Sequence, residues 1–311
     1  MISKAISLVS ILVISLLFGL VGCTPVTNTT LPTSDDGSII TTSPAALTVH
    51  FIDVGQGDSI LIDLGDIEVL IDGGGKSSDV VGYIDNYIDG PLEVVVATHP
   101  HADHIGGLIG VLDAFKVDEI WFNGDISTSE TYSQFMSAVN SEGVQVYEAR
   151  RGDTIQVNNL TFNVLNPASL SGTTNDNSIV LSLSYGQVDF LFTGDAEQEA
   201  EASMLTEGIV PDVEILKVGH HGSRTASSTA FLAVTTPEVA IYMAGIGNPY
   251  GHPHAETIEA LEEIGAKIYG TDVNGTIVVV TDGITYTVQI ERIVSLSGMV
   301  YVDGIPSFVG H

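Results

Sequence analysis

The chain has 311 residues, with 9 Lys+Arg against 39 Asp+Glu and a formal net charge of −30. Charged residues are only 15% of the total, below the ~25% usual in soluble chains, so the acidity reflects a shortage of bases. A basic footprint for gripping nucleic acid or anionic lipid is excluded. Intrinsic disorder conflicts with the 44% hydrophobic content, and a single Cys excludes a disulfide framework or a Cys-built zinc site.

Residues 1–22 read as a signal peptide: Lys4 is the only charge, and an apolar run follows from Ala5 to Leu20. That run is short for a membrane span of ~20 residues but suits a signal core. Leu20-Val21-Gly22-Cys23 resembles a bacterial lipobox. The resemblance implies acylation of Cys23 and an extracytoplasmic, membrane-anchored lipoprotein at the cell surface, and an uncleaved anchor helix is the alternative. Residues 23–46, rich in Thr, Ser and Pro without periodicity, read as a flexible tether. A globular region over residues 47–290 follows. Residues 291–311 form an extension in which apolar Val294–Val302 predicts an edge strand and Pro306–His311 has no evident role.

Within the globular region, Leu47–Val54, Ser59–Asp63 and Glu68–Asp72 predict a small antiparallel meander. A helix over Ser78–Ile88 and an apolar strand over Leu92–Thr98 come next. Helix and strand patterns then alternate: helices at Gly107–Phe115, Ser129–Ser141, Ala196–Leu205, Ser228–Val234 and Ala255–Ile264, with strands at Glu119–Phe122, Val144–Glu148, Leu160–Val164, Val213–Val218, Val239–Met243, Lys267–Tyr269 and Thr276–Thr281. Ser178–Ser184 and Val188–Thr193 read as a hairpin. Meanders mixed with strand–helix units predict an α/β fold with two sheets inside and helices outside.

Seven of the nine His fall in three short segments, 99–104, 220–221 and 252–254, each after an apolar strand or the loop that follows one. Strand ends hold loop side chains rigidly, which suits ligand binding. In His99-Pro100-His101-Ala102-Asp103-His104, three imidazoles and a carboxylate stand within six residues. Such a cluster is costly to bury without compensation. A divalent cation compensates it, because imidazole nitrogens and carboxylate oxygens suit Zn²⁺, Mn²⁺ or Fe²⁺. His99 and His101 can face one cation while Asp103 and His104 face another. Gly106 and Gly107 allow a tight turn into the next helix.

His-x-His-x-Asp-His before Gly-Gly, at the end of an apolar strand, resembles the metallo-β-lactamase superfamily. Asp53-Val54-Gly55-Gln56-Gly57-Asp58-Ser59, Asn175-Asp176-Asn177-Ser178, Thr193-Gly194-Asp195, Lys217-Val218-Gly219-His220-His221-Gly222-Ser223 and Asn248-Pro249-Tyr250-Gly251-His252-Pro253 bring it closest to the ComEC-like branch, related to DNA uptake. The resemblance implies a four-layer αβ/βα sandwich and two divalent ions, Zn or Mn, one of them weakly held. It implies His99, His101, Asp103, His104, Asp195 and His220 as ligands, with Asp195 bridging the ions. From the residues alone, Asp195 also reads as a helix cap.

His221 is then expected beside the ions or facing substrate, with Asp103 and His252 in the chemistry. His252 would serve as a general acid or as a hydrogen-bond donor to an oxyanion, while His254 reads as incidental. Arg224, Ser223 and Asn248 are expected at the substrate, Arg224 equally as a surface residue paired with an acid. Asp53, Asp58, Asp176 and Asn177 are expected to support the ligands, as Asp72 does unless it only braces its loop. There is no His from Ile105 to Gly219, where many members of the superfamily carry a further ligand. The Asn175–Ser178 segment stands in its place.

The implied activity is metal-dependent hydrolysis by a metal-activated hydroxide. The expected substrate is a phosphodiester, either nucleic acid or a small molecule, without tight non-specific nucleic-acid binding. Another ester, a lactone or a β-lactam is the alternative. A non-catalytic, lipid-anchored binding protein with a degenerate site is the reading from a different class.

Overall fold

Along the strands, neighbouring apolar residues part to opposite faces, as the two-residue repeat of extended backbone requires. Ile60 and Ile62 join one buried cluster and Leu61 another, and Val94 and Val96 are likewise separated from Val95. Phe190 and Phe192 join the same central cluster as Ile60, whereas Leu191 joins a third. Three apolar layers therefore alternate with two sheets. The central layer between the sheets holds Phe51, Phe162, Phe190 and Phe192. Each outer layer lies between one sheet and its helices.

The computed structural model describes residues 45–295, 298–300 and 308–310. Its strands are β1 Leu47–Phe51, β2 Ile60–Asp63, β3 Glu68–Ile71, β4 Leu92–Ala97, β5 Val117–Phe122, β6 Gln145–Glu148, β7 Thr154–Val157, β8 Leu160–Asn166 and β9 Val180–Tyr185. They continue with β10 Val188–Phe192, β11 Ile215–Lys217, β12 Val239–Tyr242, β13 Lys267–Gly270, β14 Ile277–Thr281, β15 Tyr286–Ile290, β16 Ile293–Ser295, β17 Gly298–Val300 and β18 Phe308–Gly310. The first sheet runs β18-β15-β14-β1-β2-β3-β4-β5-β6 and the second β13-β12-β11-β10-β9-β8-β7.

The helices are α1 Val80–Ile84, α2 Ala102–Ile105, α3 Leu108–Ala114, α4 Glu130–Glu142, α5 Gln198–Glu207, α6 Thr229–Thr235, α7 Ala255–Glu263 and α8 Thr271–Asn274. Phe135 and Val139 of α4 pack with Leu108 and Val111 of α3 in one outer layer. Met204, Phe231 and Leu261 of α5, α6 and α7 fill the other. The expected α/β sandwich, helices outside and sheets inside, is what the chain forms.

The sequence pattern passes over β7, β15 and α8. In the extension, β16 pairs only with β17, and the sheet edge is instead β18, antiparallel to β15 with Val309 opposite Thr287. Of the expected edge strand over 294–302, the described residues stand in the separate β16–β17 pair. Cys23 and the signal and tether segments lie outside the described residues. Among the described residues, no helix is long and apolar enough to cross a membrane.

Glu68 gives the fold a pH dependence. Its side chain is fully buried at the start of β3 with neither carboxyl oxygen hydrogen-bonded. Burial, then Glu93, Asp89, Asp63 and Asp66, push its pKa up to about 7. An acid raised on folding stabilises the fold fully below its unfolded value, and that contribution is lost as pH rises towards 7. The neighbouring acids are partly screened by salt. We therefore expect urea unfolding to show roughly 2 kcal/mol less stability from this group at pH 8 than at pH 4.5, and Glu68→Gln to flatten that segment of the profile.

Candidate metal centre

β1 and β3 each pair antiparallel with β2, and β3 pairs parallel with β4, so these three strands point one way. β10, β11 and β12 are mutually parallel. The loops after these strands bring together residues distant in sequence, the usual place for a site in a mixed sheet.

After β4, Thr98 donates its backbone N–H and its hydroxyl to Asp72, at 2.8 and 2.7 Å. Asp72 follows β3 in left-handed backbone (φ 58°) and also accepts from His104 Nδ1 at 2.7 Å. One buried carboxylate thus ties the His-rich loop to the preceding strand. Gly107 lets that loop pack closely, since a Cβ there would lie 1.9 Å from the carbonyl oxygen of Gly73.

Four imidazoles turn Nδ1 outward to an acceptor. His104 uses Asp72, His221 the carbonyl of Met243 at 2.9 Å, and His220 the carboxylate of Glu197 at 2.9 Å. His99 faces Thr98 Oγ1 at 3.1 Å, an oxygen whose own proton already goes to Asp72. With the proton on Nδ1, each Nε2 is the unprotonated nitrogen; that of His99 also meets His101 Nδ1 at 3.0 Å. For His99, His104, His220 and His221 these Nε2 atoms stand 3.7, 3.3, 3.7 and 3.4 Å from one oxygen, Asp195 Oδ2.

Asp195 follows β10, its N–H donating to Ser178 Oγ at 3.1 Å. Two groups of donors lie within 4.8 Å of one another: Asp58, His104, Asp195 and His221, and His99, His101 and Asp195. Asp103 joins from the side, its Oδ2 3.4 Å from His221 Nε2.

The electrostatics fit a cation. Burial alone would lower the pKa of His104 and His221, yet Asp195, with Asp72 for the first and Asp58 for the second, drives both well above the ordinary value. Burial would raise Asp195, and His221 and His104 hold it well below the usual carboxylate range. A site that attracts protons this strongly attracts a divalent ion in their place. His104 Nε2, His221 Nε2 and Asp195 Oδ1 are buried without a hydrogen-bond partner, a cost that metal coordination removes. The donor set therefore fits a divalent metal.

A cavity of about 340 Å³ opens onto these donors, lined by Gln56, His101, Ala102, Asp103, Asp195, His220, His221, Tyr250 and His252. Tyr250 is 62% exposed and lies nearly parallel to the ring of His252. Burial, then His221 and His220, lower the His252 pKa to about 4. Its ring is thus neutral at pH 7 and able to hydrogen-bond at the mouth of the site. A larger cavity of about 590 Å³, lined by Asp53, Asp79, Tyr83 and Arg292 among others, holds none of the histidines.

The tandem histidines, of which His220 alone is expected as a ligand, both turn to the site. His220 and His221 both have positive φ, 46° and 57°, in the turn Gly219–Gly222. Consecutive side chains therefore both enter the site, and His221 is the more buried. Asp58, expected in support of the ligands, stands beside them, with an oxygen within 4.8 Å of donor atoms of His104, Asp195 and His221.

Other expectations are corrected. Asp53 pairs with Arg292 and accepts from the Gly55 N–H, touching no metal-site histidine. Asp176 accepts from the Ala200 N–H at the start of α5 and from Thr173. Asn177 bonds Asp125 and Ser171. Of that segment it is Asn175 that reaches His220, at 3.4 Å. These acids and amides satisfy nearby backbone groups first, as short polar side chains in turns do.

Arg224 pairs with Glu256 at 3.1 Å, both exposed, so it is the surface residue of the two readings. Ser223 bonds Thr225. Asn248 uses its amide on the carbonyls of Gly245 and His252 and its oxygen on the N–H groups of Tyr250 and His252. It therefore shapes the loop that presents Tyr250 and His252. His254 accepts from the Arg224 N–H.

Sequence reasoning missed Gln56, Tyr250, Glu197 and Lys217 as contributors. All but Glu197 stand inside the motifs quoted above, where pattern identifies the segment but not each side chain's direction.

With the geometry in place, comparison with known proteins agrees. The model of the Metallo-beta-lactamase superfamily matches residues 52–246. The chain belongs to that superfamily, and with its buried donor cluster it is a metal-dependent hydrolase. It is 31% identical to ComE operon protein 3 of Bacillus subtilis over 252 residues, covering 74% of this chain and 32% of that protein. It is 28% identical to Recombination protein 2 of Haemophilus influenzae over 238 residues, covering 74% of this chain and 28% of that protein. The chain thus spans about a third of the length of these relatives.

Among solved structures, the metallo-beta-lactamase fold protein YhfI from Bacillus subtilis superposes with a TM-score of 0.53 at 15% identity. It covers 76% of this chain and 100% of that one. Igni18, a metallo hydrolase from Ignicoccus hospitalis, gives 0.50 at 16% identity, covering 74% and 98%. Both likenesses are of fold.

Proposed function

We propose that the protein is a phosphodiesterase with nuclease-like activity, anchored outside the cytoplasm through Cys23. The observation that carries the hydrolytic reading is the convergence of four Nε2 atoms on Asp195 Oδ2. The recombination named for one relative is a nucleic-acid process, which supports a phosphodiester over a lactone or β-lactam.

In this reading two ions, Zn or Mn, are held. His99, His101, His220 and Asp195 take one, and Asp103, His104, His221 and Asp195 the other. His220 stands in for the ligand absent between Ile105 and Gly219. Bound divalent ions supply Lewis acidity at a phosphoryl oxygen and bring the pKa of water towards ~7. Gln56 Nε2, buried without a partner, and the neutral His252 ring are donors available to the substrate's oxygens. Tyr250 offers a flat apolar face at the mouth. The lack of bases argues against tight, non-specific binding of long nucleic acid.

The test is metal content after gentle purification, followed by turnover of bis(p-nitrophenyl) phosphate, a single-stranded oligonucleotide, a lactone and a chromogenic cephalosporin with added Mn²⁺ or Zn²⁺. We expect about two ions per chain and hydrolysis of the two phosphodiesters. Fewer than one ion and no turnover would sink the reading, while cleavage of the lactone or cephalosporin alone would redirect it.

A further inference from the structure

Among the described residues, Lys217 is the one fully buried Lys or Arg. It is the last residue of β11, on the face that carries Ile215 into the central apolar layer. A lysine there is costly unless every donor is matched, and all three are. Its ammonium donates to Asp58 Oδ2 at 2.6 Å, the Val218 carbonyl at 2.9 Å and the Gly194 carbonyl at 3.3 Å.

These partners come from three segments of the site. Asp58 precedes β2 in the first sheet, Gly194 adjoins Asp195, and Val218 leads into the tandem histidines. Lys217 has neither exposure nor a spare proton for substrate. Asp58 Oδ1, left without a hydrogen bond of its own, lies 3.2 Å from His221 Nδ1. The ammonium thus fixes a carboxylate beside the outward nitrogen of an imidazole whose Nδ1 proton goes to the Met243 carbonyl and whose Nε2 faces Asp195.

We propose that Lys217 is a positioning residue for His221, acting through Asp58. By engaging Oδ2 it holds Asp58 against the outward side of His221 and keeps that carboxylate off the ion. This rests on the reading that divalent ions bind the cluster. Partners of this kind behind a metal ligand typically change affinity ~10–100-fold when lost.

The sign of the effect separates the possibilities. Simple repulsion between Lys217 and an ion predicts tighter binding when the lysine is removed, and so does release of Asp58 to become a ligand. Positioning predicts weaker binding. Mn²⁺ titration followed by the electron paramagnetic resonance of the free ion should therefore show Lys217→Met binding one of its ions about tenfold more weakly, with Lys217→Gln, which keeps a donor, in between.

The double variant Asp58→Leu/Lys217→Met, which replaces the buried pair by apolar groups, should recover stability but not Mn²⁺ affinity. It also serves if the single variant does not fold. Folded variants that bind Mn²⁺ as the wild type does, or more tightly, overturn the proposal, as does a double variant that regains affinity along with stability. A wild-type protein that binds no Mn²⁺ overturns both this and the metal reading, whereas wild-type binding matched by the variants overturns this alone.

Discussion

Asp195→Asn is expected to lose metal and activity together. Four imidazole nitrogens face its Oδ2, and its Oδ1 is buried without a partner. No other carboxylate belongs to both donor groups. An amide of the same shape keeps the packing but removes the charge that would hold two cations close together. Metal per chain should fall to less than half the wild-type value, and turnover of bis(p-nitrophenyl) phosphate by at least about 10³-fold. Circular dichroism should be unchanged. A variant with full metal content would show that Asp195 is not the shared ligand.

Asp72 gives the second large effect, because it accepts three hydrogen bonds in a fully buried place. Asp72→Ala strands the Thr98 N–H and the His104 Nδ1–H, and we expect a loss of about 2–4 kcal/mol in urea unfolding of the metal-free protein. Asp72→Asn separates stability from metal binding. Its oxygen still accepts from the Thr98 N–H, whereas its NH₂ faces the His104 ring. That variant should keep most of the stability and still bind metal roughly 10–100-fold more weakly. Unchanged metal affinity in Asp72→Asn would exclude His104 as a ligand.

How far the sequence could be read depended on what kind of signal each residue gave. The strands β2, β4 and β10 are legible as apolar runs, because burial on both faces leaves them mostly apolar. The short strands β7 and β15 are passed over because four or five residues with polar alternate positions look like loop. The His99–His104 segment announced itself through residue types that have no cheap structural use together. Polar residues with a cheap use were misread: Asp176 and Asn177 brace a turn, and Arg224 meets Glu256 at the surface. That His220 and His221 both face inward is not legible in the sequence, since the left-handed turn that directs them is a backbone feature. Lys217 was visible only as a letter in a motif, since nothing in the pattern says that its three protons are all taken.

The two donor groups are drawn from both leaves of the sandwich. His99, His101, Asp103 and His104 follow a strand of the nine-stranded sheet, and Asp195, His220 and His221 follow strands of the seven-stranded one. Any ion bound between them is a rivet through the seam. Folding free energy should then rise with free metal as RT ln(1 + [L]/Kd), so the melting temperature would track metal concentration. Chelation would act as more than inhibition, because it would unfasten the two halves along the edge where substrate enters. A protein built this way would gain rigidity and reactivity from the same ions, and would lose both in metal-poor surroundings.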